Sequence, residues 1–187
     1  MKNNKLFDGA REWVNHTHPH PEHLIRTGYW VQQLDPQASD ELVIACITHD
    51  IERAFTEGRV PEGSSEEGSG IIWDDEVYNL WHGRRSADFV AQWLKTQGVS
   101  DDFIKKVWRL IEVHEMGGND KENLIKDADS ISFLEINAPL FKSRIPEKYS
   151  KAQVLEKFNY MYNRITSTKA KELAQPFYQK AIDLLPE

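Results

Sequence analysis

Asp40-Glu-Leu-Val-Ile-Ala-Cys-Ile-Thr-His-Asp-Ile-Glu-Arg-Ala-Phe55 is the stretch on which the reading of this chain turns. Leu42 to Ile47 is an unbroken apolar run, and the segment reads as one helix from about Ser39 to Phe55. It carries His49 and Asp50 side by side behind that run. Two groups that both want water follow an apolar helix only where something offsets their desolvation. Buried carboxylates and imidazoles are paired with each other or bound to a metal.

Working outward, His23 lies upstream, and His82, His114 and Asp129 lie downstream, each on a helical stretch. Ile104, Val107 and Ile111 precede His114 at spacings of three or four, which puts it on their inward face. Asp129 follows Ile125 at a spacing of four and shares its side of a helix. Each residue alone has a blander reading: a satisfied core histidine, a solvated acid, a surface imidazole. Together, four imidazoles and two carboxylates suit one or two divalent ions with positions left open for water, provided the fold brings them to one place. His16, His18 and His20 compete with His23 for the first position, and Asp127 competes with Asp129.

Helical periodicity dominates the rest of the chain. Leu6, Ala10, Trp13 and Val14 mark a first helix. Pro21 opens a second, with Leu24, Ile25, Gly28, Val31 and Leu34 inward, and Asp35-Pro36 closes it. The acidic, Gly- and Ser-rich stretch around 57–72 is the strong internal loop signal, expected to be either a lid over the site or a surface insertion. Helix resumes at Asp74 and runs to about Thr96 with a bend expected near Gly83, and Gly98 stops it. Ser100 caps the next helix, which ends at Gly117-Gly118. Another runs from about Lys121 to Glu135, a loop lies between Pro139 and Pro146, and two helices finish the chain, Pro176 starting or kinking the last. Trp73, Trp81, Trp93 and Trp108 are expected to be core or helix contacts. No alternating strand segment and no internal repeat is visible. The expected fold is an all-α, single-domain helical bundle over residues 1–187.

Composition narrows the function classes. The 187 residues are 40% hydrophobic and 11% aromatic, ordinary values for a globular chain that buries its own core. No apolar run approaches the roughly 18 residues that a membrane helix needs, and the N-terminus lacks a signal peptide's apolar segment. The single cysteine, Cys46, forms no internal disulfide and reads as a small buried hydrophobe, which fits a cytoplasmic, reducing location. A net charge of −7, from 30 acidic and 23 basic residues, argues against duplex nucleic acid as a partner. It leaves room for a small anionic substrate, because a bound ion supplies positive charge locally. No pattern encodes an oligomeric state.

The order His23, His49-Asp50, His82, His114, Asp129 resembles the HD-domain superfamily of metal-dependent phosphohydrolases, over residues of about 20 to 175. HLIRT at His23 to Thr27 looks like that family's first motif, THDIERAF like its signature doublet, HGRRSADFV and VHEMGG like the two extra histidine motifs of its binuclear members, and KDADSISFLE like its terminal Asp motif. The resemblance implies an HD-type bundle in which His23, His49, Asp50 and Asp129 hold a first metal, and Asp50 bridges to a second held by His82 and His114. His23 is favoured over its neighbours because Arg26 follows it by three residues, as in the family motif, and Asp129 because it follows the Ala. The implied activity is hydrolysis of a phosphomonoester or phosphodiester of a small molecule, such as a nucleotide, by a metal-activated water, with Mn, Fe, Co, Ni, Zn or Mg as candidate ions. Asp50, Arg53 and Glu52 are the expected catalytic residues; Arg84, Arg85 and Arg164 are the expected substrate-binding residues. Glu52 and Glu115 are candidates for proton transfer or for orienting a histidine. The same ligand set also serves HD-type diiron oxygenases, and a non-catalytic metal-binding regulatory module is the third reading.

Overall fold

In the computed structural model, residues 4–55, 57 and 73–186 are described. The expected lid over 57–72 lies outside the described residues except for Glu57. Among the described residues every regular element is helical: α1 (Asn4–Thr17), α2 (Pro21–Leu34), α3 (Asp40–Thr48), α4 (Glu76–Thr96), α5 (Asp101–Glu112), α6 (Asp120–Ser132), α7 (Ala138–Ser143), α8 (Lys151–Asn163) and α9 (Thr168–Asp183). A 3₁₀ turn spans Ile51–Ala54, and a π-helical turn, Phe133–Asn137, joins α6 to α7. The fold is an all-α bundle, and no helix among the described residues is long and apolar enough to cross a membrane.

The hydrophobic pattern explains the layout. α3 is apolar on every side, and Leu42 to Thr48 are all buried, so it forms the axis of the bundle. α2, α5, α6 and α1 pack around it with one apolar stripe each. Local chemistry sets the helix starts. Ser39 accepts the Leu42 N–H, Asp75 that of Tyr78, and Ser100 that of Phe103. Asn119–Glu122 and Ser150–Gln153 form reciprocal capping boxes.

Two glycines bring the helices that bear histidines close together. A Cβ at Gly28 would lie 2.4 Å from Ile47 Cγ1, so only hydrogen lets α2 settle against α3. A Cβ at Gly83 would lie 2.4 Å from the Glu112 carbonyl oxygen, so the same economy seats α4 on the end of α5. α4 runs through Gly83 as one helix, and that glycine serves a close approach.

Three boundaries depart from the sequence reading. The central α-helix stops at Thr48, where the Thr48 hydroxyl donates to the Ile44 carbonyl and His49 Nδ1 to the Cys46 carbonyl. These side chains take over the last turn, and the chain passes through Asp50 (φ −102°, ψ 14°) into the 3₁₀ turn. The segment after Asp129 stays helical through the π turn, with Pro139 in the first turn of α7 rather than in a loop. Of the two roles expected for Pro176, starting the last helix is excluded: it lies inside α9, which starts at Thr168.

Candidate metal centre

The six side chains singled out by spacing and by the family resemblance meet at the inner end of α3. His23 comes from α2, His49 and Asp50 from the end of α3, His82 from the second turn of α4, His114 from the turn after α5, and Asp129 from α6. His23 Nε2 lies 3.0 Å and His49 Nε2 3.3 Å from Asp129 Oδ1. His82 Nε2 lies 2.7 Å, His114 Nε2 3.5 Å and His49 Nε2 3.9 Å from Asp50 Oδ1. Three overlapping groups have the proximity to hold an ion: His23, His49 and Asp129; His49, Asp50 and His114; and His82, His114 and Glu115.

All four rings face inward with the same nitrogen. His49 Nδ1 donates to the Cys46 carbonyl at 2.9 Å and His114 Nδ1 to the Ile111 carbonyl at 2.7 Å. Ser132 spends its own proton on the His23 carbonyl at 2.7 Å, so its Oγ accepts from His23 Nδ1 at 3.0 Å. His82 Nδ1 donates to Glu52 Oε1 at 2.7 Å. A neutral imidazole has one proton, and in each ring it is committed to Nδ1, so every Nε2 presents a lone pair. These lone pairs point at carboxylate oxygens that are also acceptors. Acceptors crowd together in a dry interior only around protons or a cation. Among the described residues, His49 Nε2 and His114 Nε2 are buried with no hydrogen-bond partner. This is the arrangement of first ligands and outer hydrogen bonds that a divalent ion requires.

The electrostatics follow from the same crowding. Burial resists charge on His49, but Asp50 and then Asp129 outweigh it and lift its pKa to about 9. On His82, burial and Arg53 are overcome by Asp50 and Glu52, and the shift is again upward. Burial opposes the charge of Asp50, yet His49, His82 and Arg53 hold it well below the usual carboxylate range. Asp129 is likewise held far down against burial, chiefly by Arg164 and then by the His23 and His49 rings beside it.

The flanking residues sort themselves by contact. Arg53 is half-exposed at the rim, with Nε 3.5 Å from Asp50 Oδ2 and a hydrogen bond to the Tyr78 hydroxyl. Glu52 points away from the opening: it steadies His82 and faces Arg85 Nε at 3.3 Å. Arg85 also donates to the Phe55 carbonyl, so it braces Glu52 from behind. Arg84 donates to Glu112 and, with Arg85, lines a groove on the outer face of α4 rather than the opening over the histidines. Arg164 is buried and bonded to Glu115, Asp129 and Ser130, so it is committed to holding two carboxylates in place. Asp127 faces the other way and accepts the backbone N–H groups of Thr166 and Ser167 at the start of α9.

Above the centre opens a cleft of about 410 Å³. His23, Asp50, Asp129 and Glu115 form its floor; Arg53, Lys157, Arg144 and Lys148 bring positive charge; Trp73, Phe141 and Tyr149 form an aromatic wall. Three lining residues had a different role or none in the sequence reading, Trp73 being expected as a core or helix contact. His18, a competitor there for the first ligand position, is buried against the cleft, while His16 and His20 are exposed. Trp73 stands in the cleft wall. Lys157 lies on the same face of α8 as Val154, Phe158 and Met161, and a lysine inside an apolar stripe was the readable signal.

Fold and site together define an all-α protein with a buried His/Asp cluster able to bind metal. The chain belongs to the family described as a domain of unknown function (DUF4202), whose profile matches residues 10–181. No curated protein and no solved structure matches it.

Proposed function

We propose that this protein is an HD-type, metal-dependent phosphohydrolase acting on a phosphomonoester or phosphodiester of a small molecule. The observation that carries this reading is the set of four Nε2 lone pairs, each fixed by a hydrogen bond at Nδ1, converging with Asp50 and Asp129 beneath a cation-lined cleft. His23, His49 and Asp129 would hold one ion, His82 and His114 a second, with Asp50 Oδ1 between the two groups. When bound, such ions supply a water of lowered pKa and a Lewis acid for the phosphoryl oxygens. The protein's own residues supply orientation and charge. Glu52 and Ser132 keep His82 and His23 in the tautomer that presents Nε2. Arg164 keeps Asp129 and Glu115 ionised and aimed. Arg53, at the rim beside Asp50, is placed to meet a phosphoryl oxygen. The positive lining suits an anionic ester.

The test is turnover of p-nitrophenyl phosphate and bis-p-nitrophenyl phosphate by protein loaded in turn with Mn, Co, Fe, Ni, Zn and Mg. Expected is hydrolysis with at least one ion, abolished together with metal content in Asp50→Ala. Metal-replete protein that hydrolyses no ester would defeat the proposal, and an oxygen-reactive mixed-valent iron signal in such protein would replace it with the oxygenase.

A further inference from the structure

His18 and Lys157 line the cleft beside the cluster, and among the described residues neither His18 Nε2 nor Lys157 Nζ has a hydrogen-bond or ion-pair partner. His18 lies between α1 and α2, 9% exposed. Its Nδ1 accepts the His20 backbone N–H at 3.1 Å, so the neutral ring carries its proton on Nε2. Among the described residues that buried Nε2 has no hydrogen-bond partner. The ring lies within electrostatic reach of Asp50, His23 and His49, yet it belongs to none of the groups with the proximity to share an ion. The neutral ring thus offers a proton on Nε2 beside the centre, as a donor and not as a ligand.

Lys157 enters the same cleft from α8. Its Nζ sits 5.0 Å from the ring centre of Trp73, 5.2 Å from that of Phe133 and 5.1 Å from that of Tyr160. Among the described residues it makes no ion pair, because Arg164 has taken both Glu115 and Asp129. An aromatic cage holds an ammonium in place but does not neutralise it. Beside it, Trp73 Nε1 is a further buried donor with no acceptor among the described residues. A cleft that leaves an N–H and an ammonium unanswered over a metal-type cluster has the chemistry of an oxyanion receptor.

We propose that His18 Nε2–H and Lys157 Nζ form the cradle for the phosphoryl oxygens that face away from the metal ligands. This rests on the phosphohydrolase reading and adds to it two binding residues outside the ligand set. Both are substrate-binding residues, so their loss raises KM and weakens product binding while leaving the metal in place.

The experiment is titration of Mn-loaded protein with inorganic phosphate by calorimetry, with metal content and ester turnover measured on the same samples. Expected is at least a tenfold loss of phosphate affinity in Lys157→Met and in His18→Phe at unchanged Mn content. Lys157→Arg and His18→Gln, which keep a donor, should stay within about threefold of the wild type. In the unaltered protein, phosphate should shield Lys157 from acetylation by acetic anhydride, read by mass spectrometry; this arm needs no variant to fold. Wild-type phosphate affinity in Lys157→Met, or Lys157 acetylated equally with and without phosphate, would overturn the cradle while ester turnover keeps the phosphohydrolase standing. Loss of Mn from His18→Phe would make His18 a ligand and overturn its part. A wild-type protein that neither binds phosphate nor turns over esters would remove both readings.

Discussion

Glu52 Oε1 accepts the Nδ1–H of His82 at 2.7 Å, and the opposite nitrogen of that ring lies 2.7 Å from Asp50 Oδ1. The carboxylate thus never meets the centre and acts through the imidazole, fixing its tautomer and raising its basicity. Glu52→Ala should weaken metal binding by about 10- to 100-fold, in line with losses at comparable outer-sphere partners. Glu52→Gln keeps an acceptor and loses the charge, and should fall between the two. Competition of Mn-loaded protein against a calibrated chelator measures both. Equal affinity in all three proteins would remove Glu52 from the centre's support.

How much of this was readable beforehand depends on how local each cause is. His114 and Asp129 were placed because a helical period tells which side of a helix a residue occupies. Asp129 and Asp127, two residues apart, differ by roughly 200° around that helix. Yet both are buried, because Asp127 receives the start of α9, some 40 residues on, a partner no local pattern announces. Arg164 was read as a substrate contact for the same reason: its partners Glu115 and Asp129 are 49 and 35 residues away. Arg84 was the avoidable misplacement, since two residues past His82 is the far side of the helix. His18 sits in a turn, where no period applies, and its burial depends on how α1 and α2 close over the cleft.

The upward shift on His49 gives the metal-free and metal-loaded proteins opposite pH responses. Its folded pKa of about 9 exceeds its ordinary 6.5, so its ionic contribution to stability is complete below 6.5 and is lost as pH rises through 9. Asp50 and Asp129 are shifted down, so their contribution is present throughout that window. A metal must displace the proton on His49, so apparent affinity should climb about tenfold per pH unit per proton released up to pH 9. Chelator-treated protein should therefore lose thermal stability between pH 6.5 and 9, while the gain in Tm from added Mn grows across the same range. A constant Mn-induced gain would show that His49 gives up no proton.

Arg164 holds two buried carboxylates, and removing it strands both. Arg164→Met should cost the metal-free protein about 3–5 kcal/mol, the penalty for breaking a buried ionic group from one side. Urea unfolding measures this. A bound cation beside Asp129 compensates part of the lost charge, so the deficit should shrink on Mn loading. An equal deficit with and without Mn would separate Arg164 from the metal centre.

Gly83 tests the close approach that sets His82 beside His114, whose ring centres are 5.2 Å apart. In Gly83→Ala the new methyl meets the Glu112 carbonyl oxygen at 2.4 Å, and backbone cannot turn aside as a side chain does. α4 must move off α5, at about 1–3 kcal/mol. The shift should draw His82 from Asp50 and lower metal stoichiometry. Full stoichiometry with only a stability loss would mean that the spacing of α4 and α5 is not what sets the second group of ligands.

The sharpest separation lies between the two aspartates of α6. Asp127 accepts two backbone N–H groups and the Thr166 hydroxyl, so Asp127→Asn weakens the anchoring of α9 and should lower Tm while leaving metal content and turnover intact. Asp129 Oδ1 faces His23 and His49, so Asp129→Asn replaces an anionic ligand with a neutral one at the same volume. It also removes the carboxylate that helps lift the pKa of His49, which must then fall. Asp129→Asn should therefore lose metal and show a His49 titration, followed by NMR in the metal-free protein, at lower pH than the wild type. Metal loss in Asp127→Asn with retention in Asp129→Asn would reverse the assignment and move the centre to the other face of α6.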